Sequence, residues 1–528
     1  MSVHLVGGEM LGWSDLDGAH GPGPVRGPAL TALLSAAAGR TLVVGPHHPD
    51  LIDRLPATEL TVLVRGLPDA EALAARYADR PGVQVCCGSP EKLAAMPPYD
   101  TLIALDGLAR LSSVESPQLT WGEAFDLLVS VVRPGGRLLL GVENFLGLHR
   151  LLALPPDSTD SDWAALGEYD DTRPAGLTRT RGRLAAAGLR IAGTWASFPE
   201  PLAPTALLGA DLLADGDITG FLQTTLSPTA PGAPVPPDPA RLTDPAELAN
   251  SAGLANSAGL ANSAGLADPA GLADPAGLAD PARLAGAAIR NGAVAQLAPG
   301  WVLLAERGPT TDASAVDLPA AVLVRDGRLR QVHRDPAGGW RFADGSVVPP
   351  GRTVEELVVA ATLRRDLPAV RALLTAWQAG ADAGVPADQV VVTPAGAWHG
   401  LADPAEPAAA LRRLASRLVD AGLAHLWPAP TDDLAATLAT MAGREPAPPA
   451  GDAQGGGRQG WQELLLDRDR LTRELAEAHA LHQWYDQTLT DRDDELRRLR
   501  RIVSLLSGTP TARAGRLLLA TARRSART

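Results

Sequence analysis

The sequence predicts a doubly wound, Rossmann-like α/β domain, a smaller α+β domain after it, and a C-terminal coiled-coil helix. Three observations carry that expectation. Short unbroken apolar runs alternate with amphipathic stretches over residues 40–142. Strand and helix patterns mix over 317–442. A heptad pattern runs through 461–508. A chain of 528 residues is also too long for one core, and its 45% hydrophobic content suffices for several.

In chain order, the apolar runs are Thr41–Val44, Leu60–Val64, Val83–Cys86, Thr101–Leu105 and Arg137–Val142, with helical stretches such as Asp69–Ala78 and Thr120–Val132 between them. Runs without polar alternation mark strands covered on both faces, hence a parallel sheet between helical layers. Ligands of such sheets bind beyond the C-terminal strand ends. Past residue 317, Asp317–Val348 reads as a β region with turns at Asp326-Gly327 and Asp344-Gly345. Thr353–Trp377 reads as one helix capped by Thr353, followed by a strand at Gln389–Thr393 and a helix at Pro407–Ala421.

The links are compositional. Residues 227–241 are proline-rich, and residues 443–460 end in a glycine-rich run. Residues 242–283 repeat a six-residue unit, first LTDPAE, then LANSAG and LADPAG, and finally LADPAR. Six fits neither helical nor strand periodicity, and the recurring prolines break helices, so the array reads as a spacer. In the C-terminal segment Leu475, Leu489, Leu496 and Val503 share one heptad register, and Leu464, Leu471, Leu499 and Leu506 share its partner. That pattern predicts an oligomer through 461–508. The tail 509–528 carries five arginines and no acid around Leu517-Leu518-Leu519-Ala520, which makes a peripheral membrane contact an expectation.

Composition excludes several classes. The net charge of −13 argues against a general nucleic-acid binder. Cys86 and Cys87 are the only cysteines, too few for a disulfide framework or a four-ligand zinc site, and no metal site is expected. Neither a signal peptide nor an apolar run of membrane-spanning length is evident, so the expected location is cytoplasmic. Apart from Lys92, every basic residue is arginine, a bias that reads as codon usage.

The turn Val132-Arg133-Pro134-Gly135-Gly136-Arg137-Leu138, Tyr99-Asp100 with Asp106-Gly107-Leu108, and Gly82-Val83 through Gly88-Ser89 stand in the order of three motifs of one family. On these, residues 40–142 resemble the class I S-adenosylmethionine-dependent methyltransferases. Glu143-Asn144-Phe145-Leu146-Gly147-Leu148, Glu168-Tyr169-Asp170-Asp171 and Trp195 through Pro201 are similar to a subgroup found with bacterial cell-surface polysaccharide enzymes. The resemblance implies a domain over 40–308, preceded by an extension at 1–39 and interrupted at 227–284. It also implies that residues 190–198 pair with 301–306.

The resemblance further implies S-adenosylmethionine as cofactor, held by Gly45, His47, Asp50, Arg65, Ser89 and Asp106, with Asp106, Glu143 and His149 as catalytic candidates. The implied reaction is O-methylation of a cell-surface glycan or its precursor. Three positions depart from the family pattern. The loop Val43–Asp50 keeps one glycine, Arg65 stands where an acid accepts the ribose hydroxyls, and Ser89 stands where an adenine-side acid is usual. Arginine has no acceptor atom. The other reading is therefore a catalytically inactive scaffold of the same fold, assembling partners through its coiled coil. Residues 385–404 resemble, more faintly, the metal-binding half of a kinase-like phosphotransferase, with Gln389 and Asp403 at the ligand positions.

Overall fold

Strands β1 (His4–Gly7), β2 (Arg40–Val44), β3 (Glu59–Val64), β4 (Val83–Gly88), β5 (Tyr99–Ala104), β6 (Val132–Glu143), β7 (Leu189–Phe198), β8 (Ala206–Gly209), β9 (Gly300–Arg307), β10 (Ala321–Arg325), β11 (Arg328–Arg334) and β12 (Trp340–Phe342) form one sheet. Their order across it is β1-β4-β3-β2-β5-β6-β9-β7-β8-β10-β11-β12. The computed structural model describes residues 2–18, 22–113, 115–116, 118–152, 170–227, 281–308, 318–325, 327–427, 430, 433–446, scattered positions between 470 and 504, and 510–525. Residues Met1–Gln454 form one compact unit and Gly455–Thr528 a second.

β1 through β6 pair in parallel, and β9 inserts antiparallel between β6 and β7. The expected pairing of 190–198 with 301–306 is present, with Arg190 opposite Glu306 and Ser197 opposite Gly300. The apolar runs fill both faces as their pattern requires. Leu42, Val44, Leu63 and Leu102 pack on one face, while Val43, Leu60, Val62 and Ile103 pack on the other. Helices α1 (Pro28–Leu34), α2 (Pro49–Asp53), α3 (Leu67–Arg76) and α4 (Trp121–Val131) belong to the same unit. Thr120 caps α4 in a reciprocal capping box with Glu123, a device worth about 1 kcal/mol.

The Val132–Leu138 motif does structural work. Gly135 takes φ +79, which only glycine adopts without strain, and the turn carries α4 directly into β6. Asp100 accepts from the Arg40 amide at 2.6 Å and from Arg133 Nε, tying the start of β2 to this turn. Asn144 is likewise structural. Its amide nitrogen donates to the carbonyls of Gln296 (2.7 Å) and Ala298 (2.8 Å), clamping the end of β6 to the approach to β9.

Three boundaries differ from expectation. Residues 1–39 supply the edge strand β1 and helix α1, so the sheet starts before residue 40. β10 pairs with β8, so the strands after residue 317 continue the large sheet. The helix expected at Thr353–Trp377 is two, Val354–Leu363 and Leu367–Ala379. Asp366 caps the second and Pro368 opens it, and proline cannot continue a helix from the preceding turn. These two helices, Pro407–Asp420 and Leu434–Met441 bury a core of their own around Val358, Leu374, Trp377 and Leu414, beside a small sheet of Arg352–Thr353, Val390–Val392 and Trp398–Gly400.

Residues 228–280, which hold most of the proline-rich link and the array, lie outside the described residues; the last repeat unit enters a helix at Pro281–Arg290. Glu168, Tyr169 and most of the heptad segment also lie outside them. No helix among the described residues is long and apolar enough to cross a membrane.

Candidate functional site

In a doubly wound sheet the ligand crevice opens where successive connections leave neighbouring strands in opposite directions. Here that point lies between β2 and β5, so the crevice is bounded by residues 45–48 and 105–110, with the ends of β3 and β4 beside it. A stretch of the chain's own N-terminus runs across this place. The Met10 amide donates to the carbonyl of Arg65 (2.9 Å), and the Leu67 amide donates to that of Met10 (3.0 Å). Further on, the Val25 amide donates to Pro46 (3.0 Å) and the His48 amide to Val25 (2.8 Å). Between these anchors the backbone lies directly on the loop after β3: a Cβ on Gly66 would sit 2.2 Å from the carbonyl oxygen of Trp13. We call residues 8–18 with 22–25 the strap.

The strap brings the partners that the crevice side chains hold. Arg65, 2% exposed, donates from Nε and Nη2 to the two carboxylate oxygens of Asp15, both at 2.7 Å, and from Nη1 to the carbonyl of Ser112 at 3.2 Å. This forked pairing suits guanidinium to carboxylate. Burial raises the pKa of Asp15, but its hydrogen bond and charge contact with Arg65 outweigh burial and leave it lowered. Asp69, in the first turn of α3, accepts from Ser14 Oγ (2.5 Å) and from the amides of Asp15 (2.8 Å) and Leu16 (3.3 Å). Arg110 pairs through two nitrogens with Asp106 and donates from Nη2 to the Gly23 carbonyl at 3.1 Å. Burial pushes the Asp106 carboxyl up against the pull of Arg110.

His47 is committed as fully. Its Nδ1 donates to the Gly45 carbonyl (3.1 Å) and its Nε2 accepts from the Leu105 amide (3.2 Å), which fixes the neutral Nδ1–H tautomer. Burial holds its pKa down at about 4. Ser89 Oγ lies 2.6 Å from Ser116 Oγ. Gly45, at φ +85, has its Cα face against Asp106 and Leu111. The structure thus gathers Gly45, His47, Arg65, Ser89 and Asp106 around one crevice. Asp50 lies apart from them, in the first turn of α2 with 77% of its side chain exposed, 3.5 Å from His48 and 3.9 Å from Arg76.

Glu143 and His149 form a second group beyond the end of β6. Glu143 Oε1 accepts from His149 Nε2 (3.2 Å) and Arg150 Nε (2.8 Å). Burial raises the Glu143 pKa, and the two donors more than reverse it, to about 2. His149 Nδ1 is buried with no hydrogen-bond partner among the described residues; a Cβ on Gly147 would lie 2.7 Å from it.

The kinase-like positions hold no ligand set. Gln389 is buried and donates to the Thr224 carbonyl (3.2 Å), the neighbouring Asp388 pairs with Arg413 (2.9 Å), and Asp403 is exposed. Among the described residues no group of three His, Cys, Asp or Glu side chains is placed to hold a metal ion.

S-adenosylmethionine does not fit the residues present. Where the resemblance expects a ribose acceptor stands the buried guanidinium of Arg65, both His47 nitrogens are engaged, and Asp106 is bound to Arg110. Sequence reasoning found Arg65 but missed Asp15, Asp69 and Arg110. The available signal was Arg65 itself, since a buried arginine demands a carboxylate.

No protein-family model and no curated protein matches the chain. Parts of it are similar to solved structures, several of them of methyltransferases. N-methyltransferase NodS from Bradyrhizobium japonicum WM9, in complex with S-adenosyl-L-homocysteine, shows 16% identity over 33% of this chain and 78% of NodS, at a TM-score of 0.24. The CcbJ methyltransferase from Streptomyces caelestis shows 18% identity over 33% of this chain and 89% of CcbJ, at 0.23. YcgJ from Bacillus subtilis shows 16% identity over 32% and 74%, at 0.24. Scores of this size assign neither an activity nor a cofactor to this chain.

Proposed function

We propose that the chain is a methyltransferase-fold protein whose cofactor crevice is filled by its own strap, and that it acts as a scaffold, joining partners through residues 461–508. The observation that carries this reading is Arg65. It stands at the ribose position, buried, with both carboxylate oxygens of Asp15 on its fork. Among the described residues of 461–508, the exposed Leu481, Trp484, Tyr485, Leu496, Leu499 and Ile502 support the assembly half. The test has two readings on the full chain. Millimolar S-adenosylmethionine should leave Tm unchanged, whereas ligand at a hundredfold its Kd would add about 2.7 kcal/mol and shift Tm measurably. Deleting residues 461–528 should convert the oligomer to a monomer. A ligand-induced rise in Tm contradicts the first half, and an unchanged oligomer contradicts the second.

A second reading, S-adenosylmethionine-dependent methylation of a hydroxyl on a cell-surface glycan or its precursor, is favoured by one observation. Glu143 holds His149 through Nε2 and, among the described residues, Nδ1 has no partner, the arrangement a general base would need. Incubating the chain with methyl-labelled cofactor and glycan acceptors tests it, and label transfer abolished by His149→Ala would establish it.

A further inference from the structure

The last helix of the described residues, Pro510–Ser525, belongs to the second unit and combines exposed leucines with arginines. It exposes three consecutive leucines, Leu517 (68%), Leu518 (71%) and Leu519 (64%). It also lies in a stretch rich in arginine and free of acid, with Arg513, Arg516, Arg523, Arg524 and Arg527 and no acid after Glu495. At about 100° per residue, Arg513, Arg516 and Arg523 fall within an arc of roughly 80°, and Ala514, Leu518 and Ala522 fall on the opposite side. Leu517 and Leu519 border the two faces.

We infer that this helix lies flat on the surface of an anionic lipid bilayer, with Leu518 at its deepest point and the arginines among the headgroups. The charge is complementary to acidic headgroups, and the leucines suit the acyl layer just beneath them. A nucleic-acid backbone would engage the arginines but leave three exposed leucines without a role. A second copy of the helix is disfavoured for two reasons. Consecutive leucines spread over about 200° and make no heptad seam, and pairing would bring like charges together. At sixteen residues the helix is about 24 Å long, suited to lying in the interface and not to spanning the bilayer. Binding of this kind is weak per helix, and an oligomer through 461–508 would multiply it. The inference stands whether or not the crevice binds a cofactor.

Vesicle flotation of the full chain tests it, comparing equal parts phosphatidylglycerol and phosphatidylcholine with phosphatidylcholine alone. The chain should float with the anionic vesicles, stay behind with the neutral ones, and detach in high salt. Arg513→Gln with Arg516→Gln should lower the partition coefficient roughly 30-fold. Leu518→Asp should lower it at least about tenfold. Both substitutions fall on an exposed helix, and deleting residues 510–528 gives an independent control that should abolish flotation. Equal flotation with both vesicle types overturns the inference. So does flotation unchanged by Leu518→Asp, or a Leu518→Asp variant that loses its oligomeric state while its flotation is unchanged.

Discussion

The crevice between β2 and β5 and the loop beyond β6 hold similar residue types and treat them in opposite ways. In the crevice the charged and imidazole side chains have partners within the chain: Arg65 with Asp15, Arg110 with Asp106, and His47 with Gly45 and Leu105. Beyond β6, Glu143 is about a third exposed and His149 keeps one nitrogen without a partner among the described residues. A closed set of buried pairs stabilises an arrangement and leaves nothing for a ligand. A partly open set keeps chemistry available and contributes little to stability.

Four measurements would break or sharpen that contrast. The largest effect should follow Asp15→Ala, which leaves the Arg65 charge buried with a single carbonyl acceptor. Breaking a buried pair costs about 3–5 kcal/mol, read from urea unfolding. A loss under about 1 kcal/mol would mean the strap is not packed on β3.

The next concerns pH. The folded His47 titrates at about 4, below its ordinary value of 6.5, so between these values the unfolded chain binds the extra proton. Stability should therefore fall as pH drops through that window, by about 3 kcal/mol in all. His47→Gln should flatten this dependence, and a slope that persists in the variant would assign it elsewhere.

Gly66→Ala should cost about 1–3 kcal/mol by overpacking against Trp13, since the backbone at Gly66 (φ −85) suits any residue. Hydrogen exchange should show the Met10 and Leu67 amides losing protection together, while those of β2 keep theirs. Protection retained at both amides would separate Gly66 from the strap.

The smallest effect belongs to the loop beyond β6. Glu143 titrates at about 2 instead of 4.5, so its contribution is present above pH 4.5 and disappears as pH falls toward 2. Because the pair is partly exposed, His149→Ala should change stability by about 1 kcal/mol or less at neutral pH. A larger loss would make this group as structural as the crevice.

Much of the sheet was legible because buried parallel strands are written as unbroken apolar runs, as in Thr41–Val44 and Leu60–Val64. The pairing of β7 with β9 was legible through the resemblance, although more than a hundred residues separate the two strands in sequence. β1 was not: His4–Gly7 is four residues long and mixed in character, and its pairing with β4 is long-range. The break at Arg364–Asp366 was readable from Pro368 and was passed over because the flanking apolar pattern continues. At the site, sequence marked Arg65 and Ser89 as departures from a cofactor-binding pattern. It could not say that Asp15, fifty positions earlier, lies against Arg65, because side-chain pairing across a fold leaves no local signature. Asp50 shows the converse. Its position in the loop suggested the crevice, but the helix that begins at Pro49 turns it outward.

Calorimetric titration of the full chain with S-adenosylmethionine tests the central claim most directly. With the strap in place, no heat beyond dilution should appear at millimolar ligand. Saturable binding in the micromolar range, with Arg65 and Asp15 unaltered, would contradict it.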